Sequence, residues 1–174
     1  IKKKLVALGY HFKTMSDTEV ILAAYDAYKE KCIEMFEGIF AFVISDGKHL
    51  FIARDQMGVK PLYYAFKNQT LIIASEIKSI LYYLKEAVVD NDGIRELLGL
   101  GPSCTPGRTV YRDVFSLRAA HYMIYDGDIH IHRYWMPKVK EHTDSLEETI
   151  NKVKELVIES IQNQLISDVP ISSM

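Results

Sequence analysis

Phe36-Glu37-Gly38-Ile39-Phe40-Ala41-Phe42-Val43-Ile44 begins the stretch, running on to Leu81, around which the chain is organised. Its aromatic and β-branched residues follow one another with little polar interruption, the pattern of a strand buried on both faces. Asp46-Gly47 comes next, a dipeptide that tolerates positive φ and favours a tight hairpin turn. His49-Leu50-Phe51-Ile52-Ala53-Arg54-Asp55 returns as a second strand ending in a charged pair. Gly58-Val59-Lys60-Pro61 then interrupts regular structure, because Pro brings no donor to a ladder. Leu62-Tyr63-Tyr64-Ala65-Phe66 and Leu71-Ile72-Ile73-Ala74 form another hairpin, turning at Lys67-Asn68-Gln69. Ser75-Glu76-Ile77-Lys78 opens a helix with Ile77, Ile80 and Leu81 on one face. Strands in this succession predict one antiparallel meander with a helix packed on it.

The 174 residues carry a net charge of −2, with 48% hydrophobic and 25% charged residues, the balance of an ordinary globular protein. No basic field points to nucleic acid, and no apolar run approaches the ~20 residues of a membrane span. Cys32 and Cys104 form neither a disulfide framework nor a metal motif. Cys32 sits in a helical pattern and reads as a small buried residue; Cys104 lies in a Gly-Pro-Ser-Cys-Thr-Pro-Gly loop with no activating His near it in sequence. Free thiols and the lack of a signal-peptide pattern lead to the expectation of a cytoplasmic protein.

Upstream of the central stretch, Ile1-Lys2-Lys3-Lys4-Leu5-Val6-Ala7-Leu8 reads as the tail of an amphipathic helix stopped by Gly9. With no initiator Met and no start signal before it, the sequence reads as a fragment. Ser16-Asp17-Thr18-Glu19 has the spacing of a capping box and starts a helix to about Lys31, with Val20, Ile21, Ala24, Tyr25 and Tyr28 at helical spacing. Asp17 takes the first helical position, where the helix dipole keeps a carboxylate ionised. An anion held there suits a ligand ammonium group, although acids of a first turn also serve as simple caps.

Downstream, Asp90-Asn91-Asp92 leads a short helix, 93–100, and Val110-Tyr111-Arg112-Asp113-Val114 and the segment 120–127 are extended. Asp126-Gly127 turns the chain into Ile129-His130-Ile131-His132, which puts both histidines on one strand face. Two such residues with no third ligand at the usual spacing read as a solvated face, not a metal centre. Lys138-Val139-Lys140-Glu141-His142-Thr143-Asp144 is charged and patternless, a linker. Ser145 then caps a helix from Leu146 to about Ile166, whose Leu146, Ile150, Val153, Val157, Ile161 and Leu165 form one apolar stripe.

Gly38-Ile39-Phe40-Ala41-Phe42, the run from Ala53 through Arg54-Asp55-Gln56-Met57-Gly58-Val59-Lys60-Pro61 to Tyr64, and Ala74-Ser75-Glu76-Ile77-Lys78 together resemble the glutaminase domain of the class II glutamine amidotransferases. Within that family they are most similar to the glutamine-hydrolysing asparagine synthetases. The region that ends in Arg133-Tyr134-Trp135 is similar to the segment that closes such a domain; it departs at Arg118-Ala119-Ala120, where the family more often has Pro-Gly. Ser167-Asp168-Val169-Pro170 resembles the entry to an ATP-pyrophosphatase domain.

The resemblance implies an α+β fold of layered antiparallel sheets with flanking helices, an incomplete N-terminal-nucleophile-type domain over 1–134. A linker, 135–144, and the first helix of an α/β synthetase domain, 145–174, come after it. The resemblance also implies glutamine hydrolysis at an N-terminal Cys thiolate and transfer of ammonia to an aspartate activated by MgATP, giving asparagine, AMP and pyrophosphate. The substrates would be glutamine, aspartate and ATP, with no nucleic acid or membrane partner and a homodimer left open. Asp17 is the position that matches the family's contact to the glutamine α-amino group. The family's nucleophile, carboxylate-binding Arg and oxyanion Asn-Gly pair match nothing from Ile1 onward, and no phosphate loop occurs before Met174. By itself the chain is therefore expected to be inactive, with no cofactor and no metal. Arg54, Asp55, Gly58 and Lys60 match family positions and are read as structural support and domain interface. Rival readings are an amidotransferase with another acceptor, of β-lactam or sugar-phosphate type, and a non-catalytic scaffold.

Overall fold

The computed structural model of the protein describes residues 1–101 and 104–165. They fall into two compact units, divided between Met136 and Pro137. In the first unit, one sheet contains β1 (Ala41–Ser45), β2 (Leu50–Arg54), β6 (His121–Tyr125) and β7 (Ile129–Arg133), ordered β1-β2-β6-β7. A second contains β3 (Tyr63–Lys67), β4 (Thr70–Ala74) and β5 (Val114–Ser116), ordered β4-β3-β5. Every pairing is antiparallel. The helices are α1 (Lys2–Ala7), α2 (Asp17–Tyr28), α3 (Ile77–Leu84) and α4 (Asn91–Leu100), with a 3₁₀ segment at Lys29–Met35.

β2 is the strand that both sides of the sheet need. Phe51, Ile52 and Ala53 are all buried, and side-chain alternation sends them to different cores. Phe51 and Ala53, with Ile44, pack against Leu5, Ala24, Cys32, Ile33 and Phe36 from the helical layer. Ile52 and Met123 face Leu62, Leu117 and, from the second sheet, Tyr64 and Ile73. The far side of that sheet buries Ala65 and Val114 against Ile80 of α3. The layers run helix, sheet, sheet, helix, the α+β arrangement expected.

Several local expectations are corrected. The two hairpins do not continue as one meander; β1–β2 and β3–β4 lie in separate sheets. The turn at 55–61 redirects the chain. Asp55, 1% exposed, accepts hydrogen bonds from the amides of Met57 (3.1 Å), Val59 (2.9 Å) and Lys60 (3.0 Å). Arg54 donates to the carbonyls of Lys60 (2.7 Å), Gly58 (2.6 Å) and Leu117 (2.6 Å) and to Ser116 Oγ (2.9 Å). The charged pair is thus two separate clamps on backbone, one for amides and one for carbonyls.

The strand doubly buried is β2, not the run from Phe36. β1 begins only at Ala41, is a sheet edge, and leaves Val43 44% exposed. Asp46-Gly47 sits in a longer loop where only Gly47 has positive φ, and Asp46 Oδ1 accepts from the amides of Lys48 (2.9 Å) and His49 (2.7 Å). The tight turn is instead Asn68-Gln69, both at positive φ, 50° and 61°. α2 stops at Tyr28, where Lys29 takes φ 52° and the 3₁₀ segment takes over. Of 110–114, only Val114 joins a strand, while Tyr111 makes an isolated bridge to Val89. Ala120, buried, adopts φ 59°, the region a Gly would enter freely.

The second unit contains α5 (Leu146–Gln164), capped by Ser145. Here the capping box does form: Ser145 Oγ accepts from the Glu148 amide at 3.3 Å and Glu148 Oε2 from the Ser145 amide at 2.8 Å. No residue of α5 is buried; its apolar stripe stands open. The Ser167-Asp168-Val169-Pro170 resemblance lies outside the described residues. Among those described, no helix is long and apolar enough to cross a membrane.

Candidate functional site

α2 begins where Ser16, in extended conformation, turns its Oγ to accept the Thr18 amide at 3.2 Å. Asp17 is the first helical residue and is exposed. The expected capping box is absent. Glu19 turns away from Ser16 and accepts hydrogen bonds from the amides of Lys13 (2.9 Å) and Thr14 (2.8 Å) and the Thr14 hydroxyl (2.7 Å). The Ser16 amide donates instead to Thr14 Oγ1, at 3.2 Å.

Asp17 and Thr18 stand on the wall of a cavity of about 740 Å³, within the range of small-molecule sites. Val20 and Ile21, one turn on, add apolar wall from the same helix. Opposite runs the segment 36–42, irregular up to β1, with Gly38 at φ 133°. Only Gly enters that region without strain, and the bend lets Phe36, Phe40 and Phe42 cluster with ring centroids 5.6 to 5.9 Å apart. Lys60 and Pro61 come from the clamped turn, and Ser75 from the end of β4. Asp17, Glu37 and Lys60 bring charge of both signs, and Thr18 and Ser75 bring hydroxyls. An apolar basin rimmed this way suits a small zwitterion whose ammonium group faces a carboxylate.

Asp17, singled out from sequence, is on this cavity. Arg54, Asp55 and Gly58 are not among its lining residues; they hold the turn behind it. Lys60, read from sequence as structural support and domain interface, also lines the cavity. The segment 36–42 and Ser75 were legible only as fold elements, although each belongs to a block that carried the resemblance.

The cysteines lie elsewhere. Cys32 is fully buried in the core under the helical layer, and burial pushes its thiol up to about 12, far from thiolate chemistry at neutral pH. His132 stacks on Tyr122 at 5.2 Å and His130 lies 3.4 Å from Asp126, both exposed. Among the described residues no three His, Cys, Asp or Glu side chains gather as a metal site.

A family described as the glutamine amidotransferase domain matches residues 1–135. The chain belongs to this family. The amidotransferase match ends one residue short of the first compact unit, Ile1–Met136. The chain is 41% identical over 175 residues to asparagine synthetase [glutamine-hydrolyzing] 3 of Bacillus subtilis and 32% identical over 182 residues to asparagine synthetase [glutamine-hydrolyzing] 1 of the same organism. Those alignments cover 98% and 99% of this chain and, in both cases, 28% of the relative. The amidotransferase fold is shared with glutamine phosphoribosylpyrophosphate amidotransferase from B. subtilis, with a TM-score of 0.54 and 19% identity over 78% of this chain and 26% of that one.

Proposed function

We propose that this chain is the glutamine-handling part of an asparagine synthetase. In the full-length protein, glutamine is hydrolysed to glutamate and ammonia. The ammonia is transferred to an aspartate activated by MgATP, giving asparagine, AMP and pyrophosphate. One observation carries the reading: Asp17 and residues from all three sequence blocks that resemble the family line a single cavity. The similarity to two asparagine synthetases along nearly the whole chain supports this acceptor over a β-lactam or sugar-phosphate one.

Within the cavity, Asp17 accepts the α-ammonium of glutamine. Exposed at the start of α2 and on the cavity wall, Asp17 is placed for this contact. The aliphatic part of the substrate lies against Val20, Ile21 and the phenylalanine cluster. The covalent step belongs to an N-terminal Cys thiolate, which this sequence does not contain, and the nucleotide chemistry to the synthetase part that α5 begins. The residues 1–134 form the glutaminase part, 135–144 the linker and 145–174 the entry to the synthetase part. The protein acts in the cytoplasm on small molecules.

The test is nitrogen transfer. Full-length protein given amide-¹⁵N glutamine, aspartate and MgATP produces ¹⁵N-labelled asparagine. Glutamine hydrolysis with no asparagine formed, or label transferred only to a different acceptor, overturns the acceptor assignment.

A further inference from the structure

Glu19 has the sequence position of a helix-capping residue and does something else. We infer that Glu19 is a positioning residue for glutamine binding, its carboxylate building the turn that presents Asp17 to the cavity. The inference rests on Asp17 being the contact to the glutamine ammonium.

Both oxygens of Glu19 are used, Oε1 by the Lys13 amide and Oε2 by the amide and hydroxyl of Thr14. All three partners donate, so the site calls for an acceptor on both oxygens. The Thr14 hydroxyl, committed as donor to Glu19, is left to accept from the Ser16 amide at 3.2 Å. Ser16 in turn accepts from the Thr18 amide, which brackets Asp17 on both sides. The chain of contacts therefore runs Glu19, Thr14, Ser16, Thr18, with Asp17 enclosed by its last link. From α1, Lys2 supports the same turn, its ammonium 3.3 Å from the Thr14 carbonyl and 5.1 Å from the Phe12 ring centroid.

A capping role and a positioning role differ in what they predict. A cap stabilises the helix start whether or not ligand is bound. Here Ser16 performs the capping itself, and the Glu19 contacts go to residues upstream of the helix. Gln at position 19 keeps the shape but turns an NH2 group toward a backbone N–H, so the turn loses its closure while the helix keeps its cap.

The experiment is steady-state kinetics with varied glutamine in the full-length protein. Glu19→Gln and Thr14→Val raise KM for glutamine roughly tenfold, with kcat and the melting temperature little changed. Thr14→Ser, which keeps the hydroxyl, restores the parental KM. Asp17→Asn is the reference and raises KM by more than either. If Asp17→Asn raises KM and Glu19→Gln does not, the positioning role is overturned while the cavity reading stands. A joint fall of kcat and melting temperature in Glu19→Gln, or a Thr14→Ser that behaves like Thr14→Val, makes Glu19 merely structural and also overturns it. If Asp17→Asn leaves KM unchanged, the cavity reading fails and this inference with it.

Discussion

Gly58 shows how one missing side chain sustains the turn behind the cavity. It sits at φ 67°, and a Cβ placed on it would lie 2.9 Å from the Ala119 Cβ and 3.2 Å from Arg54 Cζ. Gly58→Ala combines left-handed strain with a clash against Ala119 Cβ and crowding of the Arg54 guanidinium, for a loss of ~2–4 kcal/mol of stability measured by denaturant unfolding. A loss under about 0.5 kcal/mol would show that the turn relaxes around it. Glu19 offers a second check at this scale. The amide of Lys13, then the hydroxyl and amide of Thr14, hold its carboxyl below the ordinary glutamate value. A depressed carboxylate keeps its contribution above the ordinary value and loses it as pH falls through the lower folded one. NMR titration of the Glu19 side chain should give a midpoint below that of an unperturbed glutamate, and Thr14→Val should move it back up. Asp17 was legible in the sequence because its signal is local, an acid one residue past a cap. The job of Glu19 was not. Ser-x-x-Glu is the same string for a capping box and for this clamp, and the competing Thr14 hydroxyl decides which forms.

Among the elements, the turn at 55–61 has the widest effect, because it sends two consecutive hairpins into different sheets. Asp55→Asn tests it without changing shape. The carboxylate accepts three backbone amides in a nearly water-free place, and an Asn amide group must face one of them with its own N–H. Stability should fall by ~2–3 kcal/mol, read from unfolding midpoints at constant m-value. A neutral substitution would mean that the amides find water instead. Strand identities were readable from apolar runs bounded by Gly and Pro. Which strand is central was not, because β2 becomes an inner strand only when β6, from far along the chain, pairs with it, and doubly buried only when the helical layer and the second sheet cover its faces. A local competitor, not a distant strand, undid the turn expected at Asp46-Gly47: Asp-Gly favours a tight one, yet the Asp46 side chain captured two amides and opened the loop.

At the scale of the molecule, the chain spans 28% of the length of the two synthetases it matches, and its two units are of unequal kind. The first holds three cores, while in α5 the apolar stripe from Leu146 to Leu165 is exposed throughout. Residues 137–143 have no regular structure and are exposed, Val139 at 98%. Trypsin should cut this chain first after Lys138 or Lys140, and a first cut within the sheets would contradict the division. The layered fold was legible through the family resemblance, while local patterns alone led to one meander, and the cavity emerged only after Asp17, Gly38, Lys60 and Ser75 met in space. One measurement addresses that meeting most directly: asparagine formation by full-length Asp17→Asn, with glutamine and separately with ammonium salts. Loss of one charge-assisted hydrogen bond to the substrate ammonium costs ~2–3 kcal/mol, so glutamine-dependent kcat/KM should fall roughly 30- to 160-fold. The ammonia-dependent reaction bypasses this carboxylate and should persist, with the melting temperature retained because Asn still suits the helix start. Equal loss with both nitrogen donors, or no loss with glutamine, would contradict the assignment of Asp17 as the residue that binds glutamine.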